Sequence, residues 1–183
     1  MAILEAEDTK NGHTLEVRLL QELGDLSNLS PKKISSLWNE FKSHDVLFTD
    51  YTAGKLEPFL HSLINPRSVW VEIFDIEEDK AIGIMMATSI LPNFDAEGHF
   101  TIWNGRASGK ELVVLKSIKW IFDRYNLHRM TAPVPGYQKG VIRFIKRLGF
   151  EHEGEKRESV LMGDRWIGLV QFGMTRSELE AAL

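Results

Sequence analysis

The sequence predicts an α+β fold: a mostly antiparallel central sheet of six to seven strands, flanked by about four helices and closed by a short C-terminal helix. Three observations carry this reading. Residues 68–76, 81–91 and 97–103 are apolar or alternating stretches separated by the turn-like segments EEDK and PNFDAE, the mark of consecutive antiparallel strands. Leu112, Leu115, Ile118, Phe122 and Tyr125 then recur at helical spacing over about four turns. Finally, strand-like and helix-like stretches stay mixed along the whole chain, without the regular alternation of a parallel doubly wound sheet. One domain over residues 1–183 accommodates the string, since a chain of this length buries enough surface for a full core.

Residues 1–12 carry acids among few apolar positions and read as a loose end. Residues 14–23 partly alternate and stop at Gly24, giving a first strand. Ser30 and Pro31 form a cap and first-turn pair ahead of Ile34, Leu37, Trp38 and Phe41, which line one helix face. Residues 44–54 read as a loop bearing aromatics, and 56–64 as a second short helix with Pro58 in its first turn. After the long helix, 128–134 gives a strand edged by prolines. Val141, Phe144, Ile145 and Leu148 give a helix ended by Gly149. Residues 150–160 and 166–173 are the last strands, joined across MGDR, and Thr175 with Glu178 forms a capping box for the final helix.

Composition excludes several functions. With no cysteine, neither a thiol nucleophile nor a Cys-ligated metal nor a disulfide framework exists. A net charge of -4 gives no general attraction for nucleic acid or anionic lipid. No apolar run approaches the roughly 20 residues of a membrane span, so a cytoplasmic protein is expected. The six histidines show no metal-ligand spacing, and no metal is expected.

Two segments carry a resemblance. FIKRLGFEHEGEKRE at 144–158 and WIFDRYNLHRMTAPV at 120–134, set in this element order, are similar to the Gcn5-related N-acetyltransferase (GNAT) superfamily, in particular its branch acting on ribosomal proteins and small amines. The resemblance implies acetyl-CoA as co-substrate and a loop of pattern Q/R-x-x-G-x-G/A holding its pyrophosphate on backbone N–H groups at a helix start. The matching stretch is Arg106, Ala107, Ser108, Gly109, Lys110 and Glu111. Its sixth position is a carboxylate instead of Gly or Ala. Glu111 would repel a diphosphate unless it turned away or paired with Arg106 or Lys110. Gln138 stands where the branch has an amide against the pantetheine arm, and Arg143 lies on a basic helix that suits the 3′-phosphate or is simply solvated.

The resemblance further implies direct transfer to an amine, with the thioester carbonyl held by a backbone N–H near Ile102 or Trp103. His99 and Glu97, two apart on one strand, share a face, and either reaches an amine through water. An imidazole suits proton removal at neutral pH; a half-buried structural histidine is the competing reading. The places of the family's proton donor hold Val141 and Ile145, neither of which can act, and Tyr137 is the substitute candidate. Phe48 and Tyr51 are the acceptor-binding candidates in the loop. The expected function is therefore an acetyl-CoA-dependent N-acetyltransferase whose acceptor is a small amine, an amino acid or a protein N-terminus, with a homodimer allowed. The alternative is a non-catalytic binding protein on the same fold, which Glu111, Val141 and Ile145 favour.

Overall fold

The computed structural model describes residues 2–8, 10–43, 55–103 and 107–183. Eight strands form one sheet: β1 (Ala2–Glu7), β2 (Thr14–Glu22), β3 (Val69–Asp75), β4 (Lys80–Leu91), β5 (Asp95–Ile102), β6 (Arg129–Pro135), β7 (Glu151–Met162) and β8 (Arg165–Thr175). Their spatial order is β1-β2-β3-β4-β5-β6-β8-β7. Every neighbouring pair is antiparallel except β5 and β6, which run parallel. The helices are α1 (Pro31–Ser43), α2 (Leu56–Leu63), α3 (Glu111–Tyr125), α4 (Lys139–Arg147) and α5 (Arg176–Ala182).

The strand count exceeds the expected six to seven because the first residues are not a loose end. Ala2–Glu7 pairs along β2, with Ala6 buried and Ile3 and Leu4 packed against the core. An outer strand needs only one apolar face, and Glu5 and Glu7 keep its rim charged, which hides it from a reading of hydrophobic pattern. The other expected elements appear within one or two residues of their sequence limits. Thr175 and Glu178 make the anticipated capping box, and Gly149 takes φ 92° just after α4.

Alternation along the strands splits the interior into two layers. On one face Val69, Val71 and Ile73 meet Val114, Ile118 and Ile121 of α3, with Phe144 of α4 and Leu179 of α5 in the same cluster. On the other, Trp70, Ile84 and Met86 meet Leu37 and Phe41 of α1 and Phe59 and Leu63 of α2. The ring centroids of Phe41 lie 5.5 Å from Phe59 and 5.6 Å from Trp70, an aromatic packing centre for that layer. Among the described residues, no helix is long and apolar enough to cross a membrane.

The sheet's one parallel neighbour pair positions the site. β5 and β6 are in register at Glu97 and Thr131, and Gly98 permits this contact, since a Cβ there would lie 2.6 Å from Met130 Sδ. Beyond it the strands leave a crevice lined by Met85, Phe100, Met130 and Ala132, with Ile118 of α3 and Ile145 of α4 over it.

Candidate active site

β5 sets out the polar side of the crevice. Its register with β4 places His99 opposite Met86 and Glu97 opposite Thr88, so Glu97, His99 and Thr88 share the face that carries α1 and α2. His99 Nε2 lies 3.1 Å from Glu97 Oε1 and 3.2 Å from Thr88 Oγ1. Both partners address the same nitrogen. Because an ionised carboxylate only accepts, the ring proton sits on Nε2 and leaves Nδ1 as the basic atom. The hydrogen bond from His99 holds the Glu97 carboxyl below its ordinary value, against a burial that pushes it up. Glu97 is therefore anionic at neutral pH. Asp95, two residues earlier, accepts from Thr131 Oγ1 at 3.3 Å. Thr88 had no motif to announce it; only the β4 register brings it to the histidine.

The backbone of β5 separates the two carbonyl-binding candidates. Trp103 N–H donates to Ile82 O at 2.9 Å across to β4, so it is committed to the sheet. N–H directions alternate along a regular antiparallel ladder, which turns the Ile102 N–H toward the β6 side. Of the pair expected from sequence, Ile102 keeps the geometry for a carbonyl donor and Trp103 loses it.

The stretch after β5 is built differently from the expectation. Ala107 packs on the core, Ser108 is half-buried, and Gly109 takes φ 97°, where a Cβ would lie 2.7 Å from both Asp8 Oδ1 and Lys10 Cγ. A left-handed residue followed by a helix start is a form suited to anions. Its cation is engaged, however: Lys110, only 8% exposed, has Nζ 2.9 Å from Asp8 Oδ2. Glu111 neither turns away nor pairs with Lys110. Its Oε2 accepts the Gly109 N–H at 2.6 Å, and Arg147 Nε, from the end of α4, donates to its Oε1 at 3.0 Å. Burial pushes the Glu111 carboxyl up, but these backbone hydrogen bonds and Arg147 hold it below the usual range. Among the described residues, the amide that a diphosphate would use is already taken, because the Glu111 carboxylate accepts the Gly109 N–H.

On α4, Gln138 is the half-buried N-terminal flanking residue, Arg143 is exposed and Tyr137 is 49% exposed. Val141 packs against the core and Ile145 is buried in it, so the two positions expected to hold a proton donor are apolar in place as well as in type. Arg106, Phe48 and Tyr51 lie outside the described residues.

A second cluster lies beside Lys110. A ring nitrogen of His13, a carboxylate oxygen of Asp75 and one of Glu77 fall within 4.8 Å of one another. Spacing could not reveal this group, since His13 and Asp75 are 62 residues apart. Two of its members pair with each other, His13 Nδ1 lying 2.9 Å from Asp75 Oδ2, and the third, Glu77, accepts from Thr14 N–H through Oε2 at 2.8 Å. Lys80 and Lys110 line the adjoining hollow.

A family model described as an acetyltransferase (GNAT) domain matches residues 32–170. The chain belongs to the GNAT acetyltransferases. Solved GNAT structures share its fold. The spermidine N-acetyltransferase of Vibrio cholerae, solved with CoA and spermine, superposes with a TM-score of 0.72 at 16% identity, over 91% of this chain and 98% of that one. The ribosomal-protein-S5-alanine acetyltransferase of Vibrio fischeri gives 0.68 at 17% identity, over 94% and 96%. A GNAT-family acetyltransferase of Bacillus anthracis gives 0.68 at 14% identity, over 97% and 99%. No curated protein matches this GNAT chain by sequence.

Proposed function

We infer that this GNAT protein is an acetyl-CoA-dependent N-acetyltransferase that acetylates a primary amine, and that His99 is its base. The observation that carries the reading is the arrangement of His99 Nε2 against Glu97 and Thr88 beside the β5–β6 crevice. An amine reaches the site as an ammonium ion, and the anionic Glu97 with Asp95 on the same strand attracts it. His99 Nδ1 takes the ammonium proton, directly or through one water, while Glu97 holds the opposite side of the ring and stabilises the imidazolium. The freed amine forms its bond to the thioester carbonyl carbon, whose oxygen the Ile102 N–H supports; the nitrogen then gives up its surplus proton to water or to the departing sulfur, and the carbon–sulfur bond breaks. The thiolate leaves as an anion or takes a proton from water, with Tyr137 as the candidate donor; an ordinary thiol pKa of about 8.5 makes the anion a tolerable leaving group. Small polyamines, amino acids and peptide N-termini all present the ammonium this face suits.

A non-catalytic role on the same fold is the second reading. It is favoured by Glu111 and Lys110 being engaged with protein partners, and by apolar residues at 141 and 145. Thiol release decides between the two. The purified protein is given acetyl-CoA with a polyamine, a set of free amino acids and a short peptide with a free N-terminus. Acceptor-dependent release that falls in His99→Gln supports the enzyme. Saturable CoA binding with no release from any acceptor supports the binding role.

A further inference from the structure

Around the start of α3 the protein supplies its own anion. The Gly109 N–H is 2.6 Å from Glu111 Oε2, and the other oxygen of that carboxylate holds Arg147 at 3.0 Å. The neighbouring cation faces the other way: Lys110 is locked beneath β1 by Asp8, whose side chain is 2% exposed. The two ion pairs differ in freedom. Asp8 and Lys110 are buried, whereas the Glu111 and Arg147 side chains are 27% and 48% exposed, with the Arg147 guanidinium over the Phe144 ring at 5.3 Å. One pair is a fixed strut and the other can open at the surface.

Resting on the acetyl-CoA reading above, we propose that Glu111 is an internal competitor for the diphosphate position: the donor binds by displacing the carboxylate from the Gly109 N–H and taking over Arg147. A carboxylate and a diphosphate cannot share one N–H, and two anions at that separation repel. The same displacement frees an arginine, whose fork suits phosphate oxygens as well as it suits a carboxylate. Glu111 therefore sets the donor affinity by competition, and Arg147 is a phosphate ligand held in reserve. The charge at position 111 weakens donor binding while it secures the loop in its absence, since the carboxylate holds the Gly109 N–H just ahead of α3.

Calorimetric titration with CoA tests this on the full chain and on Glu111→Ala, Glu111→Gln and Arg147→Ala, with pantetheine, which lacks the diphosphate, as the second probe. Glu111→Ala is expected to bind CoA about tenfold more tightly, equivalent to about 1.4 kcal/mol. Glu111→Gln, which keeps a hydrogen-bond acceptor for the Gly109 N–H and so guards against loosening of the loop, should show a smaller gain. Pantetheine affinity should not change in either, and Arg147→Ala should weaken CoA. Equal CoA affinity in the parent protein and both Glu111 variants, with folding verified by thermal melts, overturns the competition and leaves the acetyl-CoA reading standing. Absence of CoA binding up to millimolar concentration in all four proteins overturns both.

Discussion

The Lys110 ammonium is tied to the Asp8 carboxylate at 2.9 Å, a link across 102 residues that joins the start of α3 to the end of β1. Burial pushes the Asp8 carboxyl up, but the hydrogen bonds from Lys110 and from the Lys10 N–H more than offset it and hold the group below its ordinary value. A carboxyl depressed in this way stabilises the fold above its unfolded pKa and loses that contribution as pH falls through the folded one. Asp8→Asn should therefore cost on the order of 2 kcal/mol at pH 7 in chemical denaturation, with the difference shrinking in acid. The double variant with Lys110→Met should recover part of the loss, because it removes the stranded ammonium. A double variant as unstable as the sum of the two single ones would mean that the pair is not coupled.

Gly109 packs against Asp8 and Lys10. At φ 97°, with a Cβ position 2.7 Å from Asp8 Oδ1, a β-branched residue meets both backbone strain and a collision. Gly109→Val should lower stability by about 1–3 kcal/mol and weaken CoA binding together. An unchanged melting temperature would show that the loop relaxes freely around the substitution.

At the crevice, His99→Gln should reduce the acetylation rate about a hundredfold while leaving the affinity for acetyl-CoA alone, since glutamine keeps a hydrogen-bonding side chain without a base. Glu97→Gln should chiefly raise the KM for a cationic acceptor. Steady-state rates between pH 6 and 9 separate the two effects. A His99→Gln enzyme with parental rate and pH profile would remove the histidine from the reaction.

The His13 and Asp75 pair gives a pH signature of its own. The hydrogen bond to Asp75 raises the His13 pKa. Burial pushes Asp75 up, but the hydrogen bond from His13 and that from the Glu78 N–H hold it lower than usual. The imidazolium contributes stability below its unfolded pKa and loses it as pH rises through the raised folded value; the carboxylate contributes above its unfolded pKa and loses it as pH falls. The melting difference between the parent and His13→Gln should be largest at about pH 5 to 6, between the ordinary carboxylate and imidazole values, and smallest above about pH 8. A difference that does not vary with pH would mean the contact is not ionic.

Local chemistry made most of the fold legible. The Ser30–Pro31 start, the Gly149 stop and the Thr175–Glu178 box are each decided by residues within one turn of each other, and each stands where it was read. β1 does not show in the sequence because pairing with β2, not its own pattern, makes it a strand. The same distinction governs the site. That His99 and Glu97 share a face follows from a period of two; that Thr88 joins them, that Arg147 rather than Lys110 reaches Glu111, and that the Trp103 amide is used up in the sheet all depend on partners brought from other elements. Type and local spacing survive in sequence, while the identity of a distant partner does not.

The one parallel neighbour pair in the sheet has a consequence for how the molecule assembles. β1 to β5 are consecutive in the chain and sequential in space, and β6 to β8 form a second consecutive group. Within each group the strands pair along much of their length, whereas β5 and β6 are in register only at Glu97 and Thr131, so the β5–β6 seam is the join with the fewest backbone hydrogen bonds. The β5–β6 crevice is thus also the weakest line between two more fully paired blocks of the sheet. Amide exchange should report it as a line of early opening between two slowly exchanging blocks.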